Sequence, residues 1–301
     1  MPTWDVPSGE LRQAIGGKEG PTNFQPQEPR CHHSVEWGAT VLSSPFPVAF
    51  VAGVPFQATT LERAIAWIIG VAAREHISVN VRLANSWSLA LASRDERYHD
   101  LLAAQGINFP DGAPVARFMN LGRRNTIAER VRGPSLFCGV MQAGVGQGVR
   151  HFLLGGSPVT LIELRRSLER RYPGIQIVGE YSPPFAPISP EYVAQCASAV
   201  HGSGADLLWI GLGTPKQDHA GTELASTLGI TTISVGAAFD FVAGTVKEAP
   251  RWVQNSGFEW LFRLIVEPRR LWRRYLIGNV EFLWAALRSF KEDRSATNAV
   301  S

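Results

Sequence analysis

The sequence predicts an α/β protein with a doubly wound, mostly parallel, Rossmann-like sheet and a C-terminal basic, Trp-rich helical appendage. From Val48 onward, short β-rich runs alternate with longer helical patterns. This alternation is typical of parallel strands joined by crossover helices. The predicted strands are Ser78–Leu83, Ser135–Phe137, His151–Leu154, Ile175–Val178, Leu207–Ile210 and Thr232–Val235. The predicted crossover helices are Leu61–Ala73, Arg94–Ala104, Val159–Arg171, Glu191–His201 and Gln217–Leu228.

The chain divides by composition into four parts. Residues 1–47 mix Pro, Gly, Gln and Glu without sustained periodicity, so we expect a mostly disordered arm. Residues 48–250 are predicted to form the α/β domain, 251–292 the helical appendage and 293–301 a flexible tail. His32 and His33 lie in the arm, and without a second cluster they are interpreted as solvated histidines rather than a metal site.

Charge and cysteine content narrow the classes of function. A formal net charge of +3 over 301 residues is too small to indicate a nucleic-acid partner, whereas residues 251–294 alone carry nine Arg/Lys against five Asp/Glu, a surplus of four. Cys31, Cys138 and Cys196 are odd in number and widely spaced, which indicates reduced cytosolic thiols rather than disulfides or a metal site. The N-terminus has no apolar signal region, and no run approaches the ~18 apolar residues of a membrane span, so neither export nor a transmembrane anchor is expected.

After Trp252 the pattern is helical throughout, and Pro268 is predicted to separate a helix at Ser256–Val266 from a second one beginning near Arg269. The second helix repeats apolar residues at spacings of three and four: Trp272, Leu276, Val280, Leu283 and Leu287. Its arginines fall largely elsewhere around the helix. Two interpretations follow: a basic amphipathic helix at a membrane surface, or an ordinary helix packed on the sheet with its arginines in water.

Two carboxylates follow apolar runs that end near glycines. Asp240, in the FDF segment with Phe239, comes after Thr232–Gly236 and is expected at a strand's C-terminal end, where open α/β sheets bind ligands. Asp111 lies in the INFPDGAPV segment, where it is a candidate general base and Gly112 permits close approach of a ligand. The Asp-Gly pair is equally a turn signal.

Glycine-rich segments follow two of the predicted strands. GLGTPKQD, at Gly211–Asp218, follows the LLWI strand, and Gly211 and Gly213 permit close approach of a donor substrate. Gln217 can both donate and accept hydrogen bonds, while Lys216 is either a phosphate contact or a solvated lysine. The pair Gly155 and Gly156 precedes a helix N-terminus and is either a tight turn or a site where backbone N–H groups bind a phosphate or nucleobase.

These motifs, in this order, resemble the WecG/TagA/CpsF family of bacterial glycosyltransferases, over about Val48 to Arg288. The resemblance implies that Asp111 is the catalytic aspartate and that Asn85, otherwise a plausible helix N-cap, lies in the substrate pocket. Leu83 stands where the family has threonine. Arg130, in ERVRGPSL, is implied to contact sugar or phosphate, although Ser135 replaces the family's usual aspartate.

The resemblance extends to the nucleotide side and to the tail. It implies that Pro184 and Phe185 of the SPPF segment line the nucleotide side, that Gln217 lies in the substrate pocket, and that Asp218 stands where glutamate is more usual. Glu248 replaces the first arginine of an Arg-Ala-Pro triplet, which reverses the charge there. The basic positions that match the family's tail motifs are Arg263, Arg269, Arg270, Arg273 and Arg274.

The predicted function is an inverting, metal-independent glycosyltransferase without a cofactor. It would move an N-acetylhexosamine or uronic-acid type sugar from a UDP-sugar to a polyprenyl-diphosphate-linked acceptor, peripherally on the inner face of the cell membrane, for surface polysaccharide synthesis. No D-x-D triplet or His/carboxylate cluster in the sequence indicates a metal. Asp240 is a second carboxylate, so a retaining reaction is disfavoured rather than excluded. The sequence leaves open whether the chain is a monomer or an oligomer.

Two alternatives come from other classes. A nicotinamide-dependent oxidoreductase would place its fingerprint after the first strand, whereas GVGQG at Gly144–Gly148 precedes a strand and lacks the G-x-G-x-x-G spacing. A non-catalytic, membrane-surface nucleotide-binding protein would use the glycine loops and the tail but would not need Asp111. The activity of an Asp111→Asn variant separates the last alternative from the enzyme.

Overall fold

The computed structural model describes residues 44–73, 78–104, 106–121, 128–256 and 259–299. A hairpin of β1 (Val48–Val51) and β2 (Val54–Gln57) precedes a six-stranded sheet. The sheet strands are β3 (Asn80–Ala84), β4 (Ile107–Pro110), β5 (Arg150–Gly155), β6 (Gln176–Tyr181), β7 (Leu207–Gly211) and β8 (Thr231–Ser234). Their order is β4-β3-β8-β7-β5-β6, and every neighbouring pair is parallel. The predicted fold class is confirmed.

Helices connect the strands and then continue alone. Those of the α/β part are α1 (Leu61–Ala72), α2 (Ser86–Ala92), α3 (Glu96–Ala104), α4 (Ala113–Asn120), α5 (Gly133–Val145), α6 (Pro158–Arg171), α7 (Pro190–Val200), α8 (Lys216–Leu228) and α9 (Ala238–Ala243). The C-terminal ones are α10 (Arg251–Ser256), α11 (Glu259–Val266), α12 (Pro268–Trp272), a π-helical segment (Arg273–Ile277) and α13 (Gly278–Ala299). Local chemistry sets several starts: Ser157 and Ser189 cap α6 and α7, each with proline at the first turn.

The core lies on both faces of the sheet. On one face, strand residues pack against α1, α5, α6 and α9, where the ring of Phe137 meets Trp209 edge-on at 4.8 Å between centroids. On the other, α7 and α8 cover Leu208 and Ile210. Because both faces are covered, β7 is continuously apolar, which is typical of parallel sheets. The neighbouring β3 and β8 instead bury polar side chains, among them Arg82 and Thr232.

Two local predictions were incomplete or wrong. Ser135–Phe137 is not a strand but part of α5, which begins at Gly133 with Pro134 in its first turn. The buried residues of this helix, Leu136, Phe137, Val140 and Met141, recur at helical spacing, and a three-residue apolar run is too short to distinguish the two periods. Strand β4 and the β1–β2 hairpin were not predicted as strands.

The C-terminal helices contact the fold with one face and leave an apolar face outside. Leu271, Phe282 and Ala286 are buried, and Phe282 meets the ring of Phe118 edge-on at 5.4 Å between centroids. The predicted apolar stripe faces outward: Trp272, Leu276, Val280, Leu283 and Leu287 are all exposed. In the described part of the chain, no helix is both long and apolar enough to cross a membrane.

The structure describes the last residues of the predicted arm and most of the predicted tail. Residues 1–43, with His32, His33 and Cys31, lie outside the described residues. Phe46, within the predicted arm, is buried and packs edge-on against Trp67 and Phe109. The predicted flexible tail is helical up to Ala299, the last residue of α13.

Candidate active site

A cavity of about 720 Å³ lies at the carboxyl edge of the sheet. The residues that follow β3, β4, β7 and β8 form its floor, because parallel strands all end at the same edge. Helix α11 and the π-helical segment form the C-terminal wall. The predicted site residues that line it are Asn85, Asp111, Gly112, Arg130, Gly211, Gly213, Gln217, Asp240, Arg263, Arg273 and Arg274.

Other predicted site residues lie outside this lining. Phe239 is buried in the core against Gly211, and Arg269 is exposed on α12. The side chain of Arg270 is outside the described part of the structure. The remaining ones are Gly155, Gly156, Pro184, Phe185, Lys216 and Asp218.

Asp111 follows β4 directly and is held from both sides. Its backbone N–H donates to the carbonyl of Ala84 in β3 at 2.9 Å, and its Oδ1 accepts the N–H of Gly133, the first residue of α5, at 3.2 Å. Burial raises the pKa of Asp111, and Glu259 raises it further; Arg130, the Gly133 hydrogen bond and Arg132 work in the opposite direction. The net result is a raised pKa, which makes Asp111 a stronger base than an aspartate in water.

An ion-pair cluster next to Asp111 joins the core to the C-terminal helices. Arg130 Nη2 lies 2.7 Å from Glu259 Oε2, and Arg132 Nη2 lies 2.9 Å from Glu259 Oε1. Arg132 Nη1 also pairs with Glu248 at 2.6 Å, and Arg130 Nη1 donates to the carbonyl of Gln254 at 3.2 Å. Glu248, where the resemblance implies arginine, therefore serves here as a partner of Arg132.

Asn85 and Gly112 stand side by side on the floor. Asn85 Oδ1 accepts the backbone N–H of Trp87 at 3.0 Å, and Ser88 Oγ accepts the N–H of Asn85 at 3.3 Å, which makes Asn85 the N-cap of α2. The N-cap interpretation is confirmed, and Asn85 also lines the cavity. A Cβ on Gly112 would lie 3.6 Å from the Asn85 Cβ, so the two segments pack closely at the cavity floor.

Gln217 is fixed by the loop that follows β7. Its Oε1 accepts the backbone N–H of Gly213 at 3.1 Å, which orients the side-chain amide, and Ser234 Oγ in β8 donates to the backbone carbonyl of Gln217 at 3.1 Å. The side chain is buried although it lines the cavity. The hydrogen bond from Gly213 sets the orientation of the amide before any ligand binds.

Phe241 lies between two arginines of the site. The guanidinium carbon of Arg263 is 5.3 Å from the ring centroid, and that of Arg132 is 5.9 Å away. Cation–π contacts of this kind contribute about 0.5–2 kcal/mol. The second aromatic residue of the FDF segment therefore positions Arg263 of α11 at the cavity.

Lys216 and the SPPF segment form a separate assembly beside the cavity. Lys216 Nζ donates to the carbonyl of Ala186 at 2.6 Å and lies 4.2 Å from the ring centroid of Tyr192. Burial lowers the pKa of Lys216, and the Cys196 thiol works in the opposite direction. The ring of Phe185 is fully exposed, 5.8 Å from the same ammonium group. Lys216 thus attaches this loop to α8.

Asp218 and the glycine pair sit within the packed structure. Asp218 is buried beneath the cavity, where burial raises its pKa to about 6 although Tyr98, Arg82, Ser234 and Gln217 oppose the shift. Gly156 N–H donates to the carbonyl of Gly211 at 3.1 Å, which links the ends of β5 and β7. Ser182 Oγ donates to the carbonyl of Gly156 at 2.7 Å.

Several residues of the site were not predicted from the sequence. Arg132, Glu259 and Phe241 all line the cavity, as do Trp260 and Tyr275, whose rings are 5.9 Å apart between centroids. Glu259 and Trp260 lie in the same tail motif as Arg263, which was predicted as a site residue. Arg132 lies two residues after Arg130, another predicted site residue. A search for opposite charges near the chosen arginines would have suggested Glu259, but nothing local indicates which arginine it meets.

A doubly wound parallel sheet with a ligand-sized cavity at its carboxyl edge defines an α/β protein of the nucleotide-binding architecture. The sequence model of the Glycosyl transferase WecG/TagA/CpsF family matches residues 49–296. The chain therefore belongs to this family, whose members are glycosyltransferases of cell-surface polysaccharide biosynthesis.

The GVGQG segment lies away from this cavity. Gly144 is in α5, and the segment ends just before β5 begins at Arg150, so it forms a turn at the amino edge of the sheet. Dinucleotide-binding loops follow the carboxyl end of a strand. This position, together with family membership, removes the support for the oxidoreductase alternative.

Proposed function

We propose that the chain is an inverting, metal-independent glycosyltransferase that moves an N-acetylhexosamine or uronic-acid type sugar from a UDP-sugar to a polyprenyl-diphosphate-linked saccharide. The observation that carries the proposal is the carboxylate of Asp111 in the same cavity as three arginines of the C-terminal wall: Arg263, Arg273 and Arg274. Glycosyl transfer needs both, because a proton leaves the acceptor hydroxyl while negative charge grows on the departing diphosphate.

In the proposed reaction, Asp111 accepts the proton of the acceptor hydroxyl. The hydroxyl oxygen forms a bond to the anomeric carbon while the bond from that carbon to the β-phosphate oxygen breaks. The electron pair of the broken bond leaves with UDP, and the arginines stabilise the new charge by bidentate hydrogen bonds. A single displacement inverts the anomeric carbon. The raised pKa of Asp111 favours this role, because a base works best when its pKa approaches the working pH.

The donor is assigned to the ends of β7 and β8. Gly211 and Gly213 offer backbone at the cavity surface, Gln217 presents an oriented amide, and Asp240 supplies a second carboxylate, whose Oδ1 accepts from Thr245 Oγ1 at 3.3 Å. The nucleobase is assigned to the neighbouring loop, with the exposed ring of Phe185 as a stacking surface and Pro184, Gly155 and Gly156 beside it. Lys216, Asn85 and Gly112 complete the proposed set.

The acceptor's lipid carrier places the reaction at a membrane, and the C-terminal helices provide the surface for it. Val280, Leu283, Trp284 and Leu287 occur at helical spacing on α13, and all are exposed. Ile265 and Val266 at the end of α11 are exposed as well. An apolar stripe flanked by arginines is typical of helices that lie in the interface of an anionic bilayer. We propose peripheral binding to the inner face of the cell membrane.

The test is UDP release from a panel of UDP-sugars, with a short-chain polyprenyl-diphosphate saccharide as acceptor, in EDTA. We expect acceptor-dependent release with one donor, and a loss of roughly 100- to 10,000-fold in the Asp111→Asn variant. Asp206→Asn is the matched control, because this carboxylate pairs with Arg150 at the opposite edge of the sheet. NMR of the product then reports the anomeric configuration.

A different experimental result would contradict each part of the proposal. Retained configuration would mean a covalent intermediate and would direct attention to Asp240. Activity that needs a divalent cation would contradict the role given to the arginines. Unchanged thermal stability in UDP, together with no release from any donor, would reject the enzyme. Stabilisation by UDP without release in any combination would favour a nucleotide-binding protein.

A further inference from the structure

The C-terminal helices are attached to the core at the residues that surround Asp111. Glu259 begins α11 and is buried, and its carboxylate bridges Arg130 and Arg132, which precede α5. The separation in sequence is 129 residues for the first pair and 127 for the second. The next residue in the core, Gly133, donates to Asp111. A single carboxylate of the C-terminal part is therefore linked to the candidate base through a short core segment, residues 130–133.

The same helix carries two other parts of the cavity wall. Trp260 follows Glu259, and Arg263 lies one turn further on; both line the cavity. Glu259 therefore holds the end of α11 that carries Trp260, while Phe241 contacts Arg263 further along the helix. The contact is enclosed, with side-chain exposures of 10% for Glu259 and 9% for Arg132, and buried pairs are screened little by salt.

Glu259 offsets the effect of Arg130 and Arg132 on Asp111: its charge raises the pKa of Asp111, whereas the two arginines lower it. Two guanidinium groups stand next to the carboxylate, and in the described part of the chain they donate to Glu259, Gln254 and Glu248 rather than to Asp111. Burial opposes ionisation of Glu259, but hydrogen bonding and charge from Arg132 and Arg130 outweigh it and lower its pKa, so it stays negative. The other charged or titratable groups in the cavity are Asp240, Arg263, Arg273, Arg274 and Tyr275.

We propose that Glu259 is a positioning residue for Asp111. From the start of α11 it binds Arg130 and Arg132, which would otherwise pair with the Asp111 carboxylate and make it a weaker base. The packing of the C-terminal helices against the core is thereby coupled to the basicity of Asp111. The inference rests on the proposed function in treating Asp111 as the base. It adds that Glu259, at the start of α11, keeps Arg130 and Arg132 from pairing with that base.

The first test is the pH profile of kcat/KM for the Glu259→Gln variant of the full chain. Glutamine keeps the size of the side chain and removes its charge, so we expect the acid limb of the profile to move to lower pH, because the unbalanced arginines favour ionised Asp111. We also expect kcat to fall by about ten- to a hundredfold, with a smaller change in the donor KM. Loss of activity with an unmoved acid limb would overturn the proposal.

Two further variants separate charge from packing. The double variant Glu259→Gln with Arg132→Gln removes one charge of each sign, and it should return the acid limb toward its wild-type position. Glu259→Asp keeps the charge on a shorter side chain, so the limb should stay while kcat falls. Glu248→Gln is the matched control: it also breaks an ion pair of Arg132, but on a more exposed carboxylate, and it should shift the limb less. An equal shift would contradict the specific role of Glu259.

A readout without catalysis keeps this inference distinct from the proposed function. The free energy of unfolding is measured across pH with and without the Asp111→Asn substitution, once in the wild-type chain and once in the Glu259→Gln variant. In the wild-type chain, the advantage of the asparagine substitution should appear as pH rises through the raised pKa of Asp111. In the Glu259→Gln variant, the gain in unfolding free energy from Asp111→Asn should be smaller and should develop at lower pH. Identical curves in both backgrounds would reject the coupling, whether or not any donor supports transfer.

Discussion

The phenolic hydroxyl of Tyr98 donates a hydrogen bond of 2.7 Å to Oδ2 of Asp218, across 120 residues of sequence. Both side chains are buried, and the fully buried Arg82 lies close enough to favour the charged form of Asp218. Arg82 itself donates to Asn108 Oδ1 at 2.9 Å and to the carbonyl of Leu101 at 2.6 Å. Asp218, the last residue of the GLGTPKQD segment, therefore links α8 to α3 and β3 below the cavity.

Replacing Tyr98 by phenylalanine should destabilise the protein in a pH-dependent way. We expect a loss of about 1–3 kcal/mol above pH 6, because the pKa of Asp218 is raised to about 6 by burial and the ionised carboxylate would lose its donor. Below that pH the carboxyl is protonated, and the loss should shrink. Urea unfolding at several pH values measures it. In an Asp218→Asn background the pH dependence should vanish; its persistence would assign the effect to another group.

The raised pKa of Asp111 predicts that the base is maintained at the expense of stability. A group whose pKa is higher in the folded state stabilises the fold below its unfolded pKa, and that contribution is lost as pH rises through the folded value. At neutral pH the Asp111→Asn variant should therefore be inactive and more stable than wild type, whereas at low pH their stabilities should converge. Thermal unfolding across pH gives the comparison, and a variant that is less stable at neutral pH would contradict it.

Gly155 is predicted to be needed for the close pairing of β5 with β7 at their carboxyl ends. Its φ is +116°, and a Cβ there would lie 2.6 Å from backbone atoms of Gly211. Gly155→Ala should cost about 3 kcal/mol, since backbone strain and the clash act together. Gly70→Ala, in α1 with nothing within 4 Å of the added carbon, is the control and should be neutral or slightly stabilising. Equal denaturation midpoints for the two variants would show that the end of the β5–β7 pair tolerates a side chain.

The outward apolar stripe of α13 is predicted to bind anionic vesicles. Changing both Leu283 and Trp284 to serine should weaken binding at least about tenfold, because each side chain contributes on the order of 1.5–3 kcal/mol when buried in lipid. The matched control changes Val159 and Ile162, which are exposed on α6, and should leave binding unaltered. Vesicle sedimentation measures both. A loss shared by the two pairs would point to non-specific hydrophobic adsorption instead.

Local sequence chemistry determined much of the fold and part of the site. The alternation of strand and helix patterns, the caps at Asn85 and Ser157, and the start of a helix at Pro268 depend on neighbours within a few residues, so the sequence alone specifies them. The expected position of Asp240 at the carboxyl edge follows from the same reasoning, because it comes just after an apolar run that would end a buried strand. Asp111 was identified as a candidate base from its Asp-Gly segment, and its place at the same edge appears only in the structure, because β4 was not predicted. Short apolar runs did not distinguish a strand from a helix: Ser135–Phe137, predicted as a strand, lies in α5.

Tertiary structure decided which side chains meet. Asp218 and Lys216 stand beside Gln217 in sequence, yet the first is buried under the cavity and the second is bound to the loop after β6. Arg130 and Arg132 meet Glu259 only because α11 packs against the start of α5. Backbone conformation responds to nearby residues, whereas the pairing of charges and the pKa of a carboxylate depend on packing between elements more than a hundred residues apart. The sequence determined five of the six sheet strands and the position of Asp240 after one of them. Packing decided the place of β4 and the charge environment of Asp111.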